Sequence, residues 1–329
     1  MEDRQELRQT RRKLTGTGAM LLIYYMIMTE LVTLVLMVDT AIFAIRYALT
    51  NHPHEFAEIF EPVYQYILDT ATSNAWGYIL AILVGTGILL LWKKPRYFKA
   101  QLFHREKKMT FGTFVQLLCV FMSVQLLFSL LQMLVEWLLN LVGLSAMAAL
   151  EMATVETNTV SMFLYAGFLG PVAEELLFRG LLLRTLECRG KRFTIFATAL
   201  MFGMFHGNIL QSPFAMWVGL VLAYVTLEYS IVWAMVLHIF NNFVMADLYG
   251  RLLEMLPERV ATIADWILFG AFAAAALVIL IVKRKEVKAY FQDNQLCPVS
   301  VRAMLTSPTV LVFFGLMTVS AMLTITRLS

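Results

Sequence analysis

The sequence predicts an all-α fold, a polytopic transmembrane helix bundle of about eight to nine spans, on three observations. Hydrophobic residues fill 60% of the 329 positions and charged residues only 15%, against about 45–50% and 25% in a soluble domain. The apolar residues come in blocks of about 18 or more, long enough to cross a bilayer as helices. The charged residues sit in short clusters between those blocks. The strict alternation over about ten residues that a transmembrane β-barrel needs is absent.

Taken in order, the first span runs from about Gly18 to Ala48 and the second from about Ala75 to Trp92. The third covers about Thr110 to Gly143 and the fourth about Thr159 to Leu186. Shorter blocks follow at about Phe193–His206, Ser212–Leu227 and Ile231–Tyr249, then Ala264–Val282 and Pro308–Thr326. The first and third exceed the roughly 20 residues a span needs, which a tilt, a kink or an interfacial extension absorbs. The first block lacks a short apolar region with an A-x-A-like cleavage site, so it reads as a retained span.

Lys and Arg give the orientation. They gather at the N-terminus (Arg4, Arg8, Arg11, Arg12, Lys13) and after the second span (Lys93, Lys94, Arg96, Lys99, Arg105, Lys107, Lys108). They gather again at Arg189, Lys191 and Arg192, and at Lys283, Arg284, Lys285 and Lys288. The alternate loops carry His52, His54, Glu55, Glu58 and Glu61, then Glu151 and Glu156. One alternation fits the whole chain, with the N-terminus cytosolic and the C-terminus outside. The net charge of +3 gives no reason to expect a nucleic-acid partner; the partners expected are membrane lipid and whatever reaches the membrane site. Cys119, Cys188 and Cys297 form neither a CxxC motif nor a disulfide framework.

Ionisable groups inside a membrane cost about 2.5–3.5 kcal/mol each at mid-helix, so they mark function. The fourth span holds Glu174, Glu175 and Arg179, the fifth ends in Phe202 and His206, and the seventh holds His238 and Asn242. At about 1.5 Å per residue, Glu174 lies about 18 Å from its cytosolic helix end, His206 about 20 Å, Asn242 about 17 Å and His238 about 10 Å. Helices of alternating direction thus bring their polar groups to one broad layer. Residues four apart share a helix face, so His238 pairs with Asn242, Phe202 with His206, and Glu175 with Arg179. Glu174, about 100° away around its helix, is left without a partner.

That set suits hydrolysis. A carboxylate can act as general base toward a water. Neutral imidazoles position the water, bind a metal or donate to an oxyanion. An Asn amide is a typical oxyanion donor. No Ser or Cys stands beside the histidines as a nucleophile; Cys188 is about four turns from Glu174.

The three motifs, EExxxR (Glu174, Glu175, Arg179), FxxxH (Phe202, His206) and HxxxN (His238, Asn242), resemble those of the CAAX-protease and bacteriocin-processing (CPBP, or Abi) family over about Thr159–Gly250. The resemblance implies an intramembrane endopeptidase. Glu174 would activate water, Glu175 and Arg179 would shape the site, His206 and His238 would hold the water or a metal, and Asn242 would support the oxyanion. It also implies a peptide or protein substrate at the membrane: a prenylated C-terminus, a pheromone or a bacteriocin precursor. On this reading residues 159–250 are the catalytic membrane core, flanked by membrane regions 1–158 and 251–329.

Zinc remains an alternative, because His206, His238 and Glu174 would supply three ligands and leave a position for water. Asn is a poor zinc ligand, which favours a Glu-activated water with no tightly bound cofactor. Two other functions are weighed. A transporter uses intramembrane carboxylates and histidines equally well, but typically shows repeated halves or matching broken helices, and neither is visible. A non-proteolytic scaffold or immunity protein would not need every motif residue. Gln125, Gln132 and Glu136 lie on one helical stripe and read as an interhelical hydrogen-bonding face. Asn241 reads as a spacer beside Asn242.

Overall fold

The computed structural model describes residues 2–55, 57–93, 100, 104–153 and 157–328. Lys94, Arg96, Lys99 and Glu156, used above for orientation, lie outside the described residues. The fold is a helical membrane bundle. Helix α1 spans Glu2–Asn51, α2 Ala57–Ser73, α3 Trp76–Lys93, α4 Phe111–Asn140 and α5 Met147–Ala153. Helix α6 spans Val160–Arg189, α7 Lys191–Phe205, α8 Gln211–Glu228 and α9 Ile231–Glu254. Then come α10 (Glu258–Val282), α11 (Arg284–Asp293), α12 (Pro298–Leu305) and α13 (Pro308–Leu323). The two-residue strands β1 (Leu144–Ser145) and β2 (Thr326–Arg327) pair antiparallel, Leu144 opposite Arg327.

Among the described residues five helices, α1, α4, α6, α9 and α10, are long and apolar enough to cross a membrane. The count becomes seven if the bent pairs α2–α3 (51°) and α12–α13 (62°) each form one span. The expected fifth and sixth spans correspond to α7 and α8, of 15 and 18 residues, and neither is in that set. Both sit against the interior: Phe193, Ala197, Met201, Phe202, Leu222 and Val225 are buried. Helices wrapped by protein need not match the bilayer thickness.

Helix starts follow local chemistry. Thr110 and Thr159 precede α4 and α6, and their hydroxyls accept from the amides of Thr113 and Met162 at 3.2 Å each, capping the open amides of the first turn. Helix α1, at 50 residues, is about 75 Å long, more than twice the roughly 30 Å hydrocarbon core. The N-terminal basic cluster is therefore helical and continuous with the span. Its far end stacks on α2 through Phe43 and Tyr66, ring centroids 4.1 Å apart.

The polar ends of the helices sort into two groups. At one end Arg189 meets Glu6 at 3.4 Å, Lys13 donates to the Cys188 thiol, and Arg192 donates to the Phe291 carbonyl. At that same end Lys107 and Lys191 both clamp the buried Glu228 carboxylate at 2.6 Å. The hydrogen bond to Glu228 holds the Lys107 ammonium above its ordinary pKa. The other end holds the β1–β2 pair and the bond from Asn208 Nδ2 to the Ala149 carbonyl, 2.7 Å. Basic residues from three parts of the chain, Lys13, Lys107 and the group Arg189, Lys191 and Arg192, thus share one face of the bundle.

Candidate active site

Three helices build the site. Helix α6 is not uniform: π-helical turns occupy Tyr165–Leu169 and Leu176–Leu183, either side of the α-helical Gly170–Glu175. Helix α9 changes from α to π at Phe240–Tyr249, just after His238. Such π turns alter the facing that simple α spacing gives. Helix α7 ends at Phe205, and Gly207, at φ +54°, takes the left-handed turn that suits glycine. His206 therefore stands at the helix terminus, half-buried.

Glu175 and Arg179 are fully enclosed and face each other, Nη1 to Oε1 at 3.0 Å, as their spacing predicts. The contact is an ion pair without hydrogen-bond alignment. The same Oε1 also meets His238 Nδ1 at 2.9 Å. A carboxylate oxygen accepts, so Nδ1 is the donor here and Nε2 is the acceptor of the neutral ring. That Nε2 faces Glu174 Oε2 at 3.7 Å. His238 thus stands between the two glutamates, held by one and turned toward the other. Glu174 keeps 27% of its side chain exposed, while Glu175 keeps none.

Phe202 is the hub. Its ring meets His206 edge-on at 5.0 Å and His238 at 5.9 Å, and the Arg179 guanidinium lies 4.3 Å from its centroid. Arg179 Nη2 also reaches the Gly219 carbonyl at 3.4 Å. His206 Nδ1 bonds the Phe202 carbonyl at 2.9 Å, so its Nδ1 carries the proton and Nε2 is the free acceptor. In both imidazoles Nδ1 is the donor, which leaves Nε2 as the acceptor of a neutral ring. Glu174, Glu175, Arg179, Phe202, His206 and His238 are brought into one cluster.

Asn242 faces α6, as His238 does. Its Nδ2 donates to the Ala166 carbonyl on α6 at 3.1 Å and its Oδ1 accepts from Asn241 Nδ2 at 3.0 Å; it makes no hydrogen bond to His238. The cause lies on α6. Gly170 N–H bonds the Tyr165 carbonyl, and Pro171 has no N–H to give, so the Ala166 carbonyl is open to Asn242. Asn241 is no spacer: it is buried and accepts from Gln125 Nε2 at 2.8 Å. The expected interhelical face of α4 holds for Gln125, whereas Glu136 bonds the segment just after its own helix. Gln125 reaches α9, and Glu136 accepts from Ser145 Oγ and the Ala146 amide at 2.9 and 2.7 Å.

The donor atoms suit a metal in kind, two Nε2 acceptors and a carboxylate. Among the described residues no three His, Cys, Asp or Glu side chains are grouped as a ligand set.

A bundle of long apolar helices enclosing a Glu–His–Arg cluster defines an integral membrane protein with a polar site among its helices. Residues 156–244, which carry all three motifs, match the family described as Type II CAAX prenyl endopeptidase Rce1-like. That description is of the CAAX-protease and bacteriocin-processing family, to which this segment is similar. No curated protein and no solved structure matches the chain.

Proposed function

We propose that this chain is an intramembrane endopeptidase that hydrolyses a peptide bond of a membrane-associated protein or peptide with a water activated by Glu174. The observation that supports this most is the contrast between the adjacent glutamates. Glu175 is enclosed and tied to Arg179 and His238, whereas Glu174 is partly open and faces the free Nε2 of His238 at 3.7 Å. In this reading a water between Glu174 and His238 gives its proton to Glu174 and attacks the scissile carbonyl. The oxyanion is served by a second hydrogen on Asn242 Nδ2, and the leaving amine takes the proton back from Glu174. Glu175 fixes the His238 tautomer, and His206 orients the water or the substrate from the Phe202 side. Residues 159–250 form the catalytic core, and the basic end of the bundle, with the N-terminus, faces the cytosol.

The alternative is a zinc mechanism through His206, His238 and Glu174. A favourable test uses the purified chain in lipid vesicles and a reporter peptide with a prenylated CAAX-type C-terminus, cleavage being followed by mass spectrometry. Cleavage is expected for the wild type and a loss of at least about a hundredfold for Glu174→Gln, since general bases contribute about 10²–10⁴-fold. Activity is expected to survive strong chelation with no stoichiometric zinc in the protein. Equal turnover by Glu174→Gln would remove Glu174 as the base. Activity lost on chelation and restored by zinc would replace the metal-free reading.

A further inference from the structure

We propose that Gln125, on α4 and outside the matched segment, is a positioning residue for this hydrolysis: it sets the direction in which the Asn242 amide points. The inference rests on the proposed function, in which Asn242 serves the oxyanion. A side-chain amide has one acceptor and two donor hydrogens, and its two ends differ little in size. Only its hydrogen bonds decide which way it lies.

Here they form a relay of one sense. Gln125 Nε2 donates to Asn241 Oδ1, Asn241 Nδ2 donates to Asn242 Oδ1, and Asn242 Nδ2 donates to the Ala166 carbonyl, at 2.8, 3.0 and 3.1 Å. The Asn242 oxygen is thereby occupied, and its NH₂ is turned toward α6, the helix that carries Glu174. One hydrogen goes to Ala166 and the second stays available for a developing oxyanion. The open Ala166 carbonyl, left by Pro171, receives the end of the relay. Interior hydrogen bonds of this kind reinforce one another. Removing the first donor frees Asn241 to turn, and Asn242 with it.

Gln125→Glu reverses the relay. A carboxylate only accepts, so Asn241 must turn its NH₂ toward it. Asn241 then offers its oxygen to Asn242, and Asn242 can no longer present the same donor. Gln125→Met keeps the length and removes the donor.

The test measures kcat and KM for wild type, Gln125→Met, Gln125→Glu, Asn242→Ala and the two double variants, with the vesicle assay and prenylated reporter above. Thermal unfolding confirms each fold. Asn242→Ala is expected to lower kcat by about a hundredfold, as loss of an oxyanion donor does. Gln125→Met should lower kcat by about tenfold or more, Gln125→Glu further, both with KM unchanged, the smaller effect befitting a residue one step removed. In the Asn242→Ala background both should cost nothing more, because positioning acts through Asn242. Full kcat in Asn242→Ala overturns the role of Asn242 and with it this inference. A lowered kcat in Asn242→Ala with wild-type kcat in both Gln125 variants, or with additive losses in the doubles, overturns the positioning role alone. If Gln125→Met does not fold, Asn241→Leu breaks the same relay one residue nearer and is read in the same way.

Discussion

At the scale of the residue, the two neighbouring glutamates divide the work. Glu175 is enclosed, and its Oε1 holds both Arg179 and His238, while its Oε2 has no hydrogen-bond partner. A buried charge in that position depends on its counter-ion. Arg179→Ala should therefore destabilise the protein by about 3–5 kcal/mol, the usual result of stranding one half of a buried pair. It also removes the cation from the face of Phe202. The double variant Glu175→Gln/Arg179→Met should recover most of that loss, because the charge leaves with its partner and the amide oxygen that replaces the carboxylate can still accept from His238. Thermal unfolding in detergent, read by intrinsic fluorescence, checks the order: wild type, then the double variant, then Arg179→Ala. A double variant less stable than Arg179→Ala would mean that the pair contributes through its shape and not its charge.

At the scale of the element, the site depends on how closely α7 and α8 approach. A Cβ on Gly203 would lie 2.5 Å from the Ser212 carbonyl oxygen and 2.9 Å from the Met216 amide. These are backbone atoms, so the helices must part before any side chain fits. Small residues at such contacts are how membrane helices come together without a hydrophobic drive between them. Gly203 is the next residue after Phe202, which touches both imidazoles and Arg179. Gly203→Ala is expected to cost about 1–3 kcal/mol, as overpacking does, and to lower peptidase activity along with it. Unfolding temperature and vesicle activity, measured side by side, test this. Unchanged stability would show that α8 shifts freely.

At the scale of the whole molecule, the two polar ends bear on topology. Glu6, Lys13, Lys107, Cys188, Arg189, Lys191, Arg192 and Glu228 are interlinked at one end. The β1–β2 pair ties the chain's last residues to the loop after α4 at the other. On the positive-inside rule the first end is proposed to be the cytosolic one. A membrane-impermeant thiol reagent on sealed vesicles of cytosol-inside orientation should label His54→Cys and Arg327→Cys directly. Native Cys188, exposed at the basic end, should react only after permeabilisation. Labelling of Arg327→Cys and Cys188 from the same face would refute this arrangement.

Hydropathy and charge spacing along the chain were enough to make this an all-α membrane bundle. The same local signals place Glu174, Glu175 and Arg179 on one helix, the Glu175–Arg179 pair on one face, and span starts near Thr110 and Thr159. They suffice because apolar periodicity and i to i+4 neighbours involve residues within a few positions of each other. The interior position of α7 and α8 was not legible, since a short apolar helix looks the same in sequence whether lipid or protein surrounds it. Nor was the wiring of the site. Glu175 and His238 are 63 residues apart, and Gln125 and Asn241 are 116 apart. Asn242 and the Ala166 carbonyl it donates to are 76 residues apart. Only the packed bundle decides these contacts, because each hydrogen bond needs two helices at a fixed distance and rotation, and neither quantity is carried by one helix alone.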